Sequence, residues 1–156
     1  MSARIVSLNI SNGGVPKHRV EHALVQPLGI EGDVQRHRTF HGGPDRALCL
    51  YSQDLIDALR REGHAIEPGS TGENVTIAGL DWQRLVPGVR LTLGAVAIEV
   101  TGFATPCRQI AASFLHGDGR RVDQRRHPGW SRVYCRVLTP GPLRVGDAVA
   151  LQAPST

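Results

Sequence analysis

Apolar and polar residues alternate in short runs along most of the chain, and helical periodicity is confined to two places. Arg4 to Ile10 reads as a first strand, with Ile5, Ser7 and Asn9 on one face and Val6, Leu8 and Ile10 on the other. Residues 19–25 suggest a second strand, and the apolar run at 47–51 a buried one. Strands are also expected at 74–77, 89–93, 95–101, 132–138 and 148–151, with Val133, Cys135 and Val137 facing one way. The clearest helix begins after Ser52, an N-cap residue. Asp54 lies in its first turn, Leu55, Ile56 and Leu59 form its apolar stripe, and Gly63 is placed to stop it. A second helix is expected after Thr105-Pro106, where Ile110, Ala111, Phe114 and Leu115 fall at helical spacing before Gly117.

The glycine-rich stretch Pro87-Gly88-Val89-Arg90-Leu91-Thr92-Leu93-Gly94-Ala95-Val96-Ala97 is echoed, one residue out of phase, by Pro140-Gly141-Pro142-Leu143-Arg144-Val145-Gly146-Asp147-Ala148-Val149-Ala150. Each reads as a turn between two short strands. Eighteen glycines, ten prolines and an aromatic content of 4% fit many turns around a core of Val, Leu, Ile and Ala. The expectation is a mainly β fold, a closed or nearly closed β-barrel with a few peripheral helices. The 156 residues suit a single domain, 1–156.

Composition narrows the function. No apolar run reaches transmembrane length, and the first seven residues lack the apolar region of a signal peptide, so the expected compartment is the cytoplasm. Cys49, Cys107 and Cys135 are an odd, scattered set without a CxxC pair, which argues against a disulfide framework or a structural zinc site. The net charge of +4 is carried by 17 arginines and one lysine, Lys17. That bias fits either GC-rich coding or the binding of oxyanions, whose geometry the guanidinium fork matches. Seven aromatics offer little stacking area, so nucleic acid is not an expected partner.

Thr105-Pro106-Cys107-Arg108 is the most informative tetrapeptide. With Thr105 as N-cap and Pro106 at N1, Cys107 occupies N2 of the expected helix. Free N–H groups and Arg108 there favour a thiolate, either a nucleophile or a soft metal ligand. The other reading is a small hydrophobe on the helix. Cys49 and Cys135 read as buried core thiols. His37 and His41 are four apart, but the following Gly42-Gly43-Pro44 argues against a metal-binding helix. His41-Gly42-Gly43-Pro44-Asp45-Arg46 reads instead as a tight loop that lets backbone N–H groups approach a ligand. Arg46 either pairs with Asp45 or reaches an anion. In Gly72-Glu73-Asn74, Asn74 either donates to a ligand or bonds the turn backbone. Arg120-Arg121 and Arg125-Arg126-His127 form a charge run, read as a solvated face or an anion gate.

Five blocks, in order, resemble the MOSC family, the domain named after the C-terminal part of molybdenum cofactor sulfurase. They are Gly29-Ile30-Glu31-Gly32-Asp33, His41-Gly42-Gly43-Pro44-Asp45-Arg46-Ala47-Leu48, Gly72-Glu73-Asn74-Val75, Thr105-Pro106-Cys107 and Val145-Gly146-Asp147. The resemblance implies a β-rich barrel and a cysteine, here Cys107, that acts in molybdenum or sulfur chemistry. In amidoxime-reducing members that cysteine ligates molybdenum held by a pterin dithiolene (molybdopterin). Small bacterial members reduce N-hydroxylated bases such as 6-hydroxylaminopurine, and others are thought to carry sulfur as a persulfide. Lys17 resembles a pocket lysine, and His41, Arg46, Asn74, Thr105 and Arg108 are the further residues expected around the cofactor. A molybdenum-dependent oxidoreductase acting on a small-molecule substrate, with a separate electron donor, is one implied function. A sulfur carrier using a Cys107 persulfide is the alternative. The extra N-terminal barrel region of amidoxime-reducing members and the helical C-terminal extension of the hydroxylaminopurine reductases are not expected over these residues.

Overall fold

Among the described residues the chain forms eleven strands and one α-helix, the longer strands built on alternating Val, Ile and Leu positions. The computed structural model describes residues 2–11, 15–33 and 43–152. The strands are β1 (Arg4–Ile10), β2 (His18–Val20), β3 (His22–Gln26), β4 (Gly29–Ile30), β5 (Leu48–Ser52), β6 (Val75–Ala78), β7 (Arg90–Leu93), β8 (Val96–Phe103), β9 (Val133–Thr139), β10 (Gly141–Arg144) and β11 (Val149–Leu151). Eight of them form one sheet in the order β11-β7-β8-β9-β5-β6-β1-β2, and β10-β3-β4 form a second. The β5–β6 pair is parallel, because the helix α1 (Gln53–Arg61) carries the chain back between them.

α1 follows its sequence signals. Ser52 accepts the Leu55 N–H at 3.1 Å, Asp54 sits in the first turn and Arg60 and Arg61 in the last. Ile56 and Leu59 are fully buried against the sheet, each contributing about 1.5–3 kcal/mol. Gly63 ends the helix at φ +103°, a conformation that costs other residues strain.

Three expectations need correction. First, the large sheet is not closed into a barrel. The start of β1, beyond the reach of β2, meets the residues before β11 at one isolated bridge, Arg4 opposite Ala148, supported by Ile5 N–H to Asp147 O at 2.9 Å and Val149 N–H to Ala3 O at 3.0 Å. With β11 only three residues long, no ladder forms across this seam. Second, residues 19–25 are not one strand. The chain turns at Glu21, so that β2 joins the large sheet and β3 the small one. Third, the two faces of β1 are not as strict alternation predicts. A bulge between Ile5 and Ser7 shifts the register, so Ile5 and Leu8 both enter the apolar core while Ser7 and Asn9 are buried in a polar layer.

The two similar glycine-rich stretches do different work. The first makes the β7–β8 hairpin, with Leu93 paired to Val96. The second turns a corner, since β10 pairs with β3 and β11 with β7. No helix among the described residues is long and apolar enough to cross a membrane.

Candidate functional site

β5 presents different residues to its two faces. Leu48 and Leu50 enter the main core, while Cys49 joins Ala104 and Tyr134 in a separate small cluster. Tyr134 stands directly opposite Cys49 on β9. On the other side of β5, Asn74 closes the same face: its Oδ1 accepts the Cys49 N–H at 3.0 Å and its N–H donates to Cys49 O at 2.7 Å. The Asn74 amide then donates to Asp33 Oδ2 at 3.0 Å, and Lys17 Nζ donates to Asp33 Oδ1 at 2.6 Å. This Lys17–Asp33 pair is almost fully enclosed, with side-chain exposures of 7% and 4%. A cleft of about 360 Å³ opens beside Asp33, lined in part by Gly29, Glu31, Gly32 and Gly43.

Arg46 ends a 3-10 turn, Pro44–Arg46, and lays its guanidinium over the Tyr134 ring, 5.1 Å from the centroid. Burial pushes the Tyr134 phenol up to about 12, with Cys49, Arg132, Arg46 and Cys107 acting on it electrostatically. Cys49 and Arg46 thus both meet Tyr134, one opposite it on the sheet and one over its ring.

Cys107 is exposed, and Cys49 and Cys135 are buried. The segment after Cys107 is a 3-10 helix, Arg108–Ser113, not the expected α-helix, and Cys107 is its N-cap residue rather than N2. It ends where Phe114 turns extended, at φ −126° and ψ 149°, to bury its ring edge-on against His64. So short a turn carries little macrodipole, and exposure rather than a helix field distinguishes this thiol. Burial raises the Cys49 thiol to about 11 and lifts Cys135 well above the ordinary range. Thr105 and Arg108 flank Cys107 and are exposed.

Lys17, Asn74 and Arg46 therefore gather on the face that holds Cys49 and Tyr134, with Cys107 in electrostatic reach of Tyr134. His41 lies outside the described residues, as do His37 and Gly42. The charge run is largely neutralised. Arg120 pairs with Asp118 at 2.8 Å, Arg121 with Glu62 at 2.8 Å while stacking on Trp130, and Arg126 with Asp123 at 3.8 Å. An anion gate there has little free charge to offer.

Four residues of this region were not candidates on sequence. Asp33 lies in the first of the five blocks, but only the fold shows that it receives Lys17 and Asn74. Tyr134 and Arg132 alternate on one face of the 132–138 run, a weak signal. Glu73 is fully buried, and accepts from Gly69 N–H at 3.1 Å, Thr71 Oγ1 at 2.9 Å and Thr76 Oγ1 at 3.1 Å. Its burial raises its carboxyl above the ordinary range despite these donors.

Comparisons with known proteins agree with this architecture. The profile of the MOSC domain matches residues 37–150. The chain is 30% identical over 140 residues to the uncharacterized protein YflK of Bacillus subtilis (strain 168), covering 88% of this chain and 62% of that protein. It is 32% identical over 123 residues to protein YiiM of Escherichia coli (strain K12), covering 76% and 54%. The chain thus spans less than two thirds of the length of both relatives. Among solved structures, YiiM from Escherichia coli superposes with a TM-score of 0.74 at 23% identity, over 100% of this chain and 72% of that one. The YUAD protein from Bacillus subtilis superposes at 0.76 with 21% identity, over 99% and 98%.

Proposed function

This chain belongs to the MOSC domain family, and from that premise we propose that it binds the molybdenum cofactor, with Cys107 as the protein's sulfur ligand to molybdenum, and reduces N-hydroxylated substrates of the 6-hydroxylaminopurine class. The observation that carries the reading is the contrast among the thiols. Cys107 is exposed, and the other two are buried, with burial raising both of their thiols.

The residues fit such a group. A soft, exposed sulfur suits molybdenum, and a metal that arrives with two dithiolene sulfurs needs few protein ligands. Arg46 and Arg108 suit the anionic pterin phosphate, with Arg46 held on Tyr134, whereas the charge of Lys17 is already met by Asp33, so that its part is to order the wall of the face. When bound, the cofactor supplies two-electron oxygen-atom chemistry. The overall conversion takes a hydroxylamine, two electrons and two protons to the amine and water, and the electrons come from a separate donor. The protein's own share is to hold the cofactor's charge, to present Cys107, and to keep Cys49 from competing as a ligand.

An exposed, unpaired thiol also supports the second reading, in which Cys107 carries sulfur as a persulfide. One preparation tests both. Protein from a molybdenum-replete host is analysed for metal and for cyanolysable sulfur, then assayed against a panel of N-hydroxylated bases. Stoichiometric molybdenum and turnover, both lost in Cys107→Ser, are the expected result. Cyanolysable sulfur without molybdenum replaces this reading with the second.

A further inference from the structure

Arg132 takes no part in the function proposed above, and its surroundings are unusual. It precedes β9, and its carbonyl accepts the Ala104 N–H at 3.0 Å. Two residues before Tyr134, it shares that residue's face of the sheet. Its side chain is buried, with 6% of the residue exposed. One nitrogen, Nη1, donates to the carbonyl of buried Thr71 at 2.7 Å. The other two, Nε and Nη2, are enclosed and have no hydrogen-bond partner among the described residues. The neighbouring carboxylate, Glu73, is already held by Gly69, Thr71 and Thr76.

The identity of the two free atoms matters. Nε–H and one N–H of Nη2 lie in the guanidinium plane and point in parallel from one edge of it. That edge matches two oxygens of one carboxylate or phosphate. Thr71 anchors the opposite end, so the fork is fixed in orientation. A guanidinium cannot escape the cost of burial by losing its proton, and an unmade charged hydrogen bond is expensive in a buried setting. The charge also lies near the working face. Arg132 is the leading charge acting on the Cys49 thiol, and it acts with Arg46 on the Tyr134 phenol.

We propose that the Nε/Nη2 edge of Arg132 is a receptor for an oxyanion with two available oxygens, a phosphate or carboxylate borne by the molecule that works beside Cys107. The link to Cys107 rests on the function proposed above, whereas the receptor itself does not. Two parallel donors on one anchored edge make binding there saturable and selective for oxyanions that can bridge them, unlike the screening of surface charge.

The experiment uses the chain without cofactor. Its thermal midpoint is followed during titration with inorganic phosphate, acetate or chloride at constant ionic strength. Phosphate or acetate should raise the midpoint saturably and chloride should not. Arg132→Gln should raise the half-saturating concentration at least tenfold. Arg132→Lys, which keeps the charge and loses the fork, should also weaken it, and Arg120→Ala should leave it unchanged. In a second measurement, the anionic reagent iodoacetate should alkylate Cys107 more slowly once the favoured anion is saturating, with iodoacetamide less affected. A preference for phosphate points to a phosphate ester as the source, and a preference for acetate to a substrate carboxylate. No saturable response in the wild type, or an equal response in Arg132→Gln, overturns the proposal. If Arg132→Gln does not fold, the wild-type titration and Arg132→Lys decide. Molybdenum content enters none of these readouts, so this proposal and the cofactor reading fail separately.

Discussion

Cys107 and Cys49 carry the same thiol, and their settings separate them. Cys107 should alkylate with iodoacetamide at neutral pH at least tenfold faster than Cys49 or Cys135, because burial raises both of the latter and closes access to them. Timed labelling with peptide mapping checks this, and equal rates would remove the contrast on which the functional reading stands. Arg46 and Arg120 make a second pair. Arg46 lies over Tyr134, whereas Arg120 is spent on Asp118, whose carboxyl it holds well below the usual range. Arg46→Ala should weaken cofactor binding by more than the roughly 0–1 kcal/mol typical of an exposed ion pair, and Arg120→Ala by no more than that. Cofactor affinity at low and high salt is the measurement. At this scale the buried settings of Cys49 and Cys135 were legible, because each alternates with apolar neighbours in its own run. Asp33, Tyr134 and Arg132 were not, because their partners come from other strands and register alone brings them together.

Among the elements, α1 was readable from its cap, stripe and stop, all local signals. The segment after Cys107 was misread as an α-helix because Ile110, Ala111, Phe114 and Leu115 have helical spacing. Phe114 instead leaves the helical conformation to reach His64, a tertiary contact that overrides the period. The turn at 69–73 is an element whose importance only the structure reveals. Gly69 accepts the Lys17 N–H at 2.9 Å and donates to Glu73 at 3.1 Å, and its φ is +83°. A Cβ there would stand 2.6 Å from Lys17 O. Gly69→Ala should therefore destabilise the chain by about 1–3 kcal/mol and loosen the Lys17 segment. Denaturant titration tests the first effect. A loss below about 0.5 kcal/mol would mean that the turn relaxes freely.

For the whole molecule, the mainly β character was legible in the alternation, and the open seam was not, since closure depends on how two distant ends meet. Burial of Glu73 has a consequence for acid–base behaviour. Its folded form binds a proton more tightly than the unfolded chain does, so the native state loses relative stability as pH rises from the ordinary carboxylate range through the raised value. Glu73→Gln removes that loss. The stability difference, variant minus wild type, should grow more positive from pH 4 towards neutral, in steps of about 1.4 kcal/mol per unit of upward shift. Chemical denaturation at a series of pH values measures it, and a flat or falling difference would show that the surrounding donors outweigh burial.

The order of strands in the large sheet also sets a timetable for folding. Leu93 meets Val96 across a short turn, but Leu48 must find Cys135 and Leu8 must find Val75. Closing such long loops costs entropy before any contact repays it, so the β7–β8 hairpin can form early and the docking of β9 onto β5 comes late. The face that holds Cys49, Asn74 and Tyr134 is assembled by that late event. During refolding, Cys49 should remain open to a pulse of thiol reagent until β9 docks, and the loss of its labelling would clock the birth of the site.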